Sequence, residues 1–155
     1  MKILVISDSH GNITNLRHVM GFAKKINAAA VIHCGDWNTA DSVRVVLEYG
    51  TPVFGILGNA DIKSEVEDAL VLGAEGFEQK FLSFKLDNKK IGVIHDIREP
   101  ILAINTLDVV FYGHTHKQKE SEKNGARIVN PGALENEINF AVYDTTSGKI
   151  DFVTE

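Results

Sequence analysis

Short apolar segments alternate with helical patterns through the first half of the chain, and each apolar segment ends abruptly at polar residues. Apolar runs predict buried strands, and apolar residues at helical spacing predict helices. The predicted order is strand 3–6, helix 13–26, strand 28–34, helix 40–47, strand 52–57 and helix 62–70. Such alternation is typical of an α/β fold in which right-handed crossovers join parallel strands. We therefore expect a parallel sheet with helices packed outside it.

The second half of the chain is dominated by strand patterns. Turn residues and β-rich runs predict strands at 77–86, 90–94, 107–112, 127–129, 140–143 and 150–153, with one short helix at 100–105. A length of 155 residues favours one domain spanning residues 1–155. The whole pattern predicts an α/β domain with helices outside mixed sheets.

Charge and cysteine content narrow the class of protein. The formal net charge is -5 and no cluster of Lys and Arg is visible, which argues against nucleic-acid binding. The one cysteine, Cys34, excludes an intrachain disulfide and favours a reducing compartment. No apolar run has the length of a signal peptide or a membrane span. We expect a cytoplasmic protein without membrane contact, and the sequence leaves open whether it forms a homo-oligomer.

Side chains able to bind a metal follow five of the apolar strands. They are Asp8, His10, Asp36, Asn59, His95, His114 and His116. In open α/β sheets, ligands bind outside the carboxyl ends of the strands, so these groups can converge there. Carboxylate and imidazole donors together suit divalent transition metals.

Seven candidate ligands exceed what one ion takes from protein while leaving room for water. We therefore predict two divalent ions that share Asp36, because its carboxylate can give one oxygen to each ion. Gly35, Gly58 and Gly113 each precede a candidate ligand. A residue without Cβ allows a sharp turn and a close approach of the backbone to a bound anion.

These motifs, in this order, resemble the calcineurin-like metallophosphoesterase superfamily. The resemblance rests on Asp8-Ser9-His10-Gly11-Asn12, Gly35-Asp36, Gly58-Asn59, His95 and Gly113-His114-Thr115-His116. The short length, and Asn130-Pro131-Gly132 before a terminal β-hairpin, resemble the compact bacterial and archaeal phosphodiesterase branch. The resemblance implies a four-layer α/β/β/α sandwich with two mixed β-sheets and a di-metal centre.

The same resemblance implies a ligand set and an activity. The implied ligands are Asp8, His10, Asp36 and His116 for the first ion, and Asp36, Asn59, His95 and His114 for the second. Manganese is the expected metal, with nickel, iron or zinc as alternatives. The implied activity is hydrolysis of small or generic phosphodiesters by a bridging water or hydroxide. Asp36, Asn59 and His95 are its implied catalytic residues.

The chain departs from the superfamily at positions that serve proton transfer. Many relatives have a histidine after Gly-Asn that protonates the leaving group, whereas this chain has Ala60. Relatives usually continue with Gly-His after the ligand that corresponds to His95, whereas Asp96 and Ile97 follow here. An alternative is therefore a catalytically weak or inactive binding or scaffold protein that keeps the fold and the metal site. The retromer subunit that resembles this family is the example.

Other residues near the predicted centre also have expected roles. The predicted substrate contacts are Asn12, Asn59 and Arg98. Asn12 is also well placed as the N-cap of the first helix. His33 is expected in the core, while Trp37 is expected either at the substrate opening or in an exposed loop. Asp61 is a candidate hydrogen-bond partner for a ligand histidine.

Overall fold

The computed structural model describes residues 1–155, which form two mixed β-sheets and three α-helices. The helices are α1 (Ile13–Lys25), α2 (Ala40–Leu47) and α3 (Lys63–Gly73). The strands are β1 (Lys2–Ile6), β2 (Ala30–His33), β3 (Val53–Ile56), β4 (Gly76–Glu78), β5 (Phe81–Leu86), β6 (Lys89–Ile94), β7 (Val109–Phe111), β8 (Lys119–Lys123), β9 (Ala126–Asn130), β10 (Asn139–Asp144) and β11 (Ile150–Thr154). A short 3₁₀ helix, Ile104–Thr106, precedes β7.

Both sheets combine parallel and antiparallel pairs. The first sheet has the order β11-β10-β1-β2-β3-β4, with β1 to β4 parallel and β10 antiparallel to both of its neighbours. The second sheet has the order β5-β6-β7-β9-β8, with β6, β7 and β9 parallel. The predicted α/β fold with two mixed sheets is confirmed.

The layers are held together by three apolar clusters. Side chains from all three helices pack against one face of the first sheet. The other face, which carries Val5 and Ile32, packs against Val93 and Phe111 of the second sheet. The outer face of the second sheet is covered around Ile104 by the segment that holds the 3₁₀ helix. The fourth layer of the predicted sandwich is thus one short 3₁₀ turn with its flanking loop.

The local signals explain most of the element ends. The Asn12 side chain accepts a hydrogen bond from the Asn15 N–H at 3.0 Å, so the predicted cap of α1 is confirmed. Gly50 follows α2 with φ +72, a conformation that glycine adopts without strain. None of the helices has the length and apolar composition that a membrane span requires.

Two predicted elements differ from the structure. The expected strand 77–86 is two strands, because the chain leaves the first sheet after β4 and enters the second at β5. Both parts are β-rich, so the sequence pattern does not mark the crossing. The expected helix at 100–105 is only the 3₁₀ helix Ile104–Thr106, since Ala103 has a left-handed backbone that no α-helix contains.

Candidate metal centre

All seven candidate ligands lie in loops that follow the carboxyl ends of strands. Asp8 and His10 follow β1, while Asp36 and Asn59 follow β2 and β3 of the same sheet. The other three follow strands of the second sheet: His95 after β6, and His114 and His116 after β7. The two sheets therefore face each other across the centre and each contributes to it.

Asp8 lies at the middle of one half of the centre. Its Oδ1 atom is 3.2 Å from the Nε2 atom of His116 and 3.8 Å from that of His10. The Oδ2 atom accepts hydrogen bonds from the Ser7 hydroxyl at 2.6 Å and from the His114 N–H at 3.0 Å. Because Asp8 is fully buried, these bonds fix the direction in which Oδ1 points.

Asp36 connects this half to the other. Its Oδ2 atom lies 3.5 Å from His10 Nε2 and 3.3 Å from His95 Nε2. Asn59 Oδ1 lies 2.9 Å from His95 Nε2 and 3.1 Å from His114 Nδ1. The side chains thus form a continuous chain of oxygen and nitrogen atoms in which Asp36 occupies the middle.

The donor set fits divalent metal ions. Asp8, His10 and His116 form one group whose ligand atoms all lie within 4.8 Å of one another, and Asp8, Asp36 and His95 form a second. The Nε2 atom of His10 is buried and has no hydrogen-bond partner in the protein. Buried polar atoms rarely lack a partner, so a nitrogen that points at two carboxylates is well placed to bind a cation.

Burial and neighbouring charges act in opposite directions on the two carboxylates. Burial raises the pKa of Asp8 above its ordinary value, although Ser7 and the nearby histidines partly oppose it. Burial also acts to raise the pKa of Asp36, but hydrogen bonds from His95 and the Ala60 N–H outweigh it, and the pKa falls below its ordinary value. Asp36 is therefore the more readily ionised carboxylate.

Five of the seven candidate ligands have a left-handed backbone. The φ angles are +50 for Asp8, +43 for His10, +60 for Asp36, +67 for His114 and +60 for His116. This conformation is uncommon for residues with a Cβ, and strained backbone of this kind clusters at functional sites. The loops are thus bent to aim side chains inward at a local cost in stability.

Glycine lets two of the loops touch the carboxylates. A Cβ on Gly58 would lie 2.1 Å from Asp36 Oδ1, and one on Gly113 would lie 2.5 Å from Asp8 Oδ2. Both contacts are far shorter than any real Cβ makes. These two glycines therefore allow the backbone to pack directly against the carboxylates of Asp36 and Asp8, whereas the sequence predicted a close approach to a bound anion.

The expected roles of Trp37 and Asp61 are wrong. Trp37 is fully buried, stacks on His33 with ring centroids 3.6 Å apart, and donates a hydrogen bond to the Ile56 carbonyl. Asp61 accepts hydrogen bonds from the Asn38 and Gly58 N–H groups, each at 2.7 Å, and bonds to no histidine. Both residues hold the loops that follow β2 and β3 instead of facing the site.

His33 is buried as expected, and its ring is hydrogen-bonded to two of the loops that carry candidate ligands. Its Nδ1 atom accepts a hydrogen bond from the Gly35 N–H at 3.2 Å, so the proton lies on Nε2, which bonds the Ser9 hydroxyl at 3.0 Å. The ring therefore joins the loop that carries Asp8 to the loop that carries Asp36. No sequence signal distinguished this role from simple core packing.

Of the three predicted substrate contacts, Asn59 lies within the centre, whereas Asn12 and Arg98 lie at its edge. Both polar atoms of Asn12 are bonded within the protein, since its Nδ2 group donates to the Glu135 carbonyl at 2.8 Å. Arg98 is exposed, with Nη2 2.6 Å from Asp96 Oδ2 and 3.3 Å from His114 Nε2. This guanidinium lowers the pKa of Asp96 to about 2. Sequence reasoning missed Glu135, whose carboxylate lies 3.7 Å from His116 Nδ1.

A two-sheet α/β sandwich with carboxylates, imidazoles and an amide clustered at its strand ends defines a class of metal-dependent phosphoesterases. Residues 1–148 match the family model described as the calcineurin-like phosphoesterase superfamily domain. The chain therefore belongs to the calcineurin-like phosphoesterase superfamily, and the resemblance drawn from the motifs is confirmed. Membership implies phosphoester substrates and divalent metals.

Similar proteins come from archaea and bacteria. A phosphodiesterase of Methanocaldococcus jannaschii is 28% identical over 141 residues, which cover 85% of this chain and 83% of the relative. A probable metallophosphoesterase of Bacillus subtilis is 30% identical over 142 residues, covering 86% of this chain and 75% of the relative. The solved structure of an archaeal phosphodiesterase matches with a TM-score of 0.86 and 25% identity over 100% of both chains.

Proposed function

We propose that the protein is a metal-dependent phosphodiesterase that hydrolyses small or generic phosphodiesters in a single domain spanning residues 1–155. The convergence of seven metal-binding side chains from both sheets supports this most strongly. Two divalent ions, manganese first, would be held by Asp8, His10, Asp36 and His116 on one side and by Asp36, Asn59, His95 and His114 on the other. When bound, such ions supply an activated water and positive charge for the phosphoryl oxygens.

The chain's own residues position the substrate. Asn59 Oδ1 faces His95 and His114, which leaves its Nδ2 group free to donate to a phosphoryl oxygen. The exposed guanidinium of Arg98 lies beside His114 and can contact a second oxygen of the same phosphate. Asn12 holds the loop after β1 through its two hydrogen bonds, and its phosphate contact remains a prediction.

Hydrolysis of chromogenic esters tests the proposal. Protein stripped with a chelator is reloaded separately with manganese, nickel, iron or zinc, then incubated with bis(p-nitrophenyl) phosphate and with p-nitrophenyl phosphate. We expect manganese-dependent turnover of the bis-ester, faster than that of the mono-ester, and none in the stripped protein.

Variants separate the centre from the rest of the surface. Asp36→Ala and Asn59→Ala should abolish turnover, since each removes a predicted ligand. Asp41→Ala is the matched control, because Asp41 is an exposed carboxylate on α2 that pairs only with Arg44. Full turnover in either site variant would contradict the assignment. No turnover with any metal would favour the scaffold alternative.

A further inference from the structure

The two nitrogens of the His116 ring face two different carboxylates. Nε2 lies 3.2 Å from Asp8 Oδ1, and Nδ1 lies 3.7 Å from Glu135 Oε2 on the other side of the ring. Glu135 belongs to neither group of metal-binding side chains in the centre. The imidazole of His116 therefore stands between a buried carboxylate and a second carboxylate that no predicted ligand set includes.

Metal binding determines where the proton of the His116 ring has to be. A neutral imidazole carries one proton, and it binds a cation through the other, unprotonated nitrogen. Because Nε2 faces Asp8 and the predicted ion, the proton belongs on Nδ1, beside Glu135. Histidine ligands in proteins almost always donate this second N–H to a carboxylate, a backbone carbonyl or water, and the bond fixes both the tautomer and the direction of the ring.

His95 has the same arrangement with a different acceptor. Its Nε2 atom faces Asp36, and its Nδ1–H donates to the carbonyl of the buried residue Cys34 at 2.8 Å. No such hydrogen bond reaches Nδ1 of His116, so the Glu135 carboxylate is the acceptor available to it. The His116 side chain is also 38% exposed, against 8% for His95, so packing restrains its ring less. Its orientation therefore depends more on an acceptor.

The backbone of Glu135 is fixed beside the centre although its carboxylate is half-exposed. The Leu134 N–H donates to the Asp8 carbonyl at 3.2 Å, and the Asn15 side chain donates to the Leu134 carbonyl at 2.8 Å. Asn12 donates to the carbonyl of Glu135 itself at 2.8 Å. A charge-assisted hydrogen bond of about 2.8 Å would need the Glu135 carboxylate to move by only about 0.9 Å, which rotation of a half-exposed side chain provides.

We propose, building on the function proposed above, that Glu135 is a positioning residue for the first ion. Its carboxylate accepts a hydrogen bond from the Nδ1–H of His116, which holds Nε2 toward the ion and strengthens the bond between them. Asn12 contributes indirectly, because its bond to the Glu135 carbonyl places the acceptor. Glu135 itself binds neither the ion nor the substrate. It therefore changes the affinity for metal and not the turnover of the fully loaded enzyme.

Isothermal titration of the stripped protein with manganese measures this effect. Glu135→Ala should weaken the binding of the ion held by His116 about 10–100-fold, as the loss of such partners typically does. Glu135→Gln keeps an oxygen acceptor at the same reach and should recover part of that loss. At saturating manganese, kcat of Glu135→Ala for bis(p-nitrophenyl) phosphate should equal that of the wild type.

A double-mutant cycle shows whether Glu135 acts through His116. His116→Ala should weaken manganese binding, and adding Glu135→Ala to it should cause no further loss, because residues that act through one contact are not additive. A full second loss in the double variant would mean that Glu135 acts by its charge alone, and would overturn the proposal. Glu137→Ala is the matched control, since Glu137 is an exposed carboxylate on the same segment that bonds Asn139. It should keep the wild-type affinity.

The remaining outcomes separate this proposal from the function on which it depends. Wild-type affinity in Glu135→Ala, or equal losses in Glu135→Ala and Glu137→Ala, would overturn the role of Glu135 and leave the phosphodiesterase function intact. A lower thermal midpoint of stripped Glu135→Ala would also overturn it, by assigning the residue a structural role. Manganese binding without turnover of any ester would overturn the phosphodiesterase function alone. Unchanged affinity in His116→Ala would overturn both.

Discussion

Replacing Gly58 by alanine should disturb the centre without altering any ligand. The new Cβ would lie 2.1 Å from Asp36 Oδ1 and 2.4 Å from the Asp36 backbone nitrogen. Ordinary contacts begin at 3.4 Å, so the side chain would have to move by about 1.3 Å. Rotation of the carboxylate alone does not relieve the clash, because the backbone nitrogen is also too close. The loops after β2 and β3 must therefore separate.

The energetic cost follows from two effects. Overpacking in a tight interior costs about 1–3 kcal/mol. Movement of the carboxylate also lengthens the 2.8 Å hydrogen bond from the Ala60 N–H to Asp36 Oδ1, and a bond to a charged group contributes about 1.5–3 kcal/mol. Asp36 is 2% exposed, so solvent does little to replace that bond. We expect the free energy of unfolding to fall by about 2.5–6 kcal/mol.

Urea unfolding of the stripped protein measures this loss, and isothermal titration with manganese measures the effect on metal binding, which should weaken. Gly21→Ala is the control, since Gly21 lies in α1 with no atom within 4 Å of the new Cβ. That change should raise the free energy of unfolding by about 0.5–1 kcal/mol, because alanine has the higher helix propensity. If the free energy of unfolding of Gly58→Ala lies within about 0.5 kcal/mol of the wild-type value and the variant binds manganese with wild-type affinity, the packing argument is wrong.

Two further predictions concern metal and pH. Manganese at a hundredfold excess over its Kd should raise the free energy of unfolding by about 2.7 kcal/mol. Calorimetry should show no such gain for the Asp36→Ala variant. A gain in that variant equal to the gain in the wild type would contradict the predicted ligand set. Burial lowers the pKa of His33 well below its ordinary value, so below about pH 6.5 this side chain binds a proton in the unfolded chain and not in the folded one. This group therefore makes the stripped protein less stable as the pH falls from 7 to 5. Over that interval the free energy of unfolding should change less favourably in the wild type than in His33→Gln, and equal slopes in urea unfolding would refute this.

The sequence predicted that the candidate ligands converge, because parallel topology brings strand ends together. Once 3–6, 28–34 and 52–57 are read as neighbouring parallel strands, their carboxyl ends share one edge, and Asp8 and Asp36 have to meet there. The predicted order of strands and helices rested on the same periodicity. Individual roles within that arrangement, such as which carboxylate is more readily ionised, required the packed structure.

What the sequence could not reveal depends on contacts between distant segments. The sequence pattern does not mark the boundary between β4 and β5, because apolar residues have the same spacing in a strand of either sheet. Trp37 next to Asp36 suggested an accessible loop, yet the ring packs on His33 beneath the centre.

The left-handed backbone at five candidate ligands sets stability against function in this chain. Glycine in place of His10, His114 or His116 would relieve about 1–2 kcal/mol of conformational strain in the folded state. The greater freedom of the unfolded chain would offset about 0.5–1 kcal/mol of that gain in the free energy of unfolding. Selection for heat resistance alone would therefore favour the loss of these imidazoles. Under the metal-binding role proposed above, the imidazoles are kept at these positions at the expense of a more stable fold.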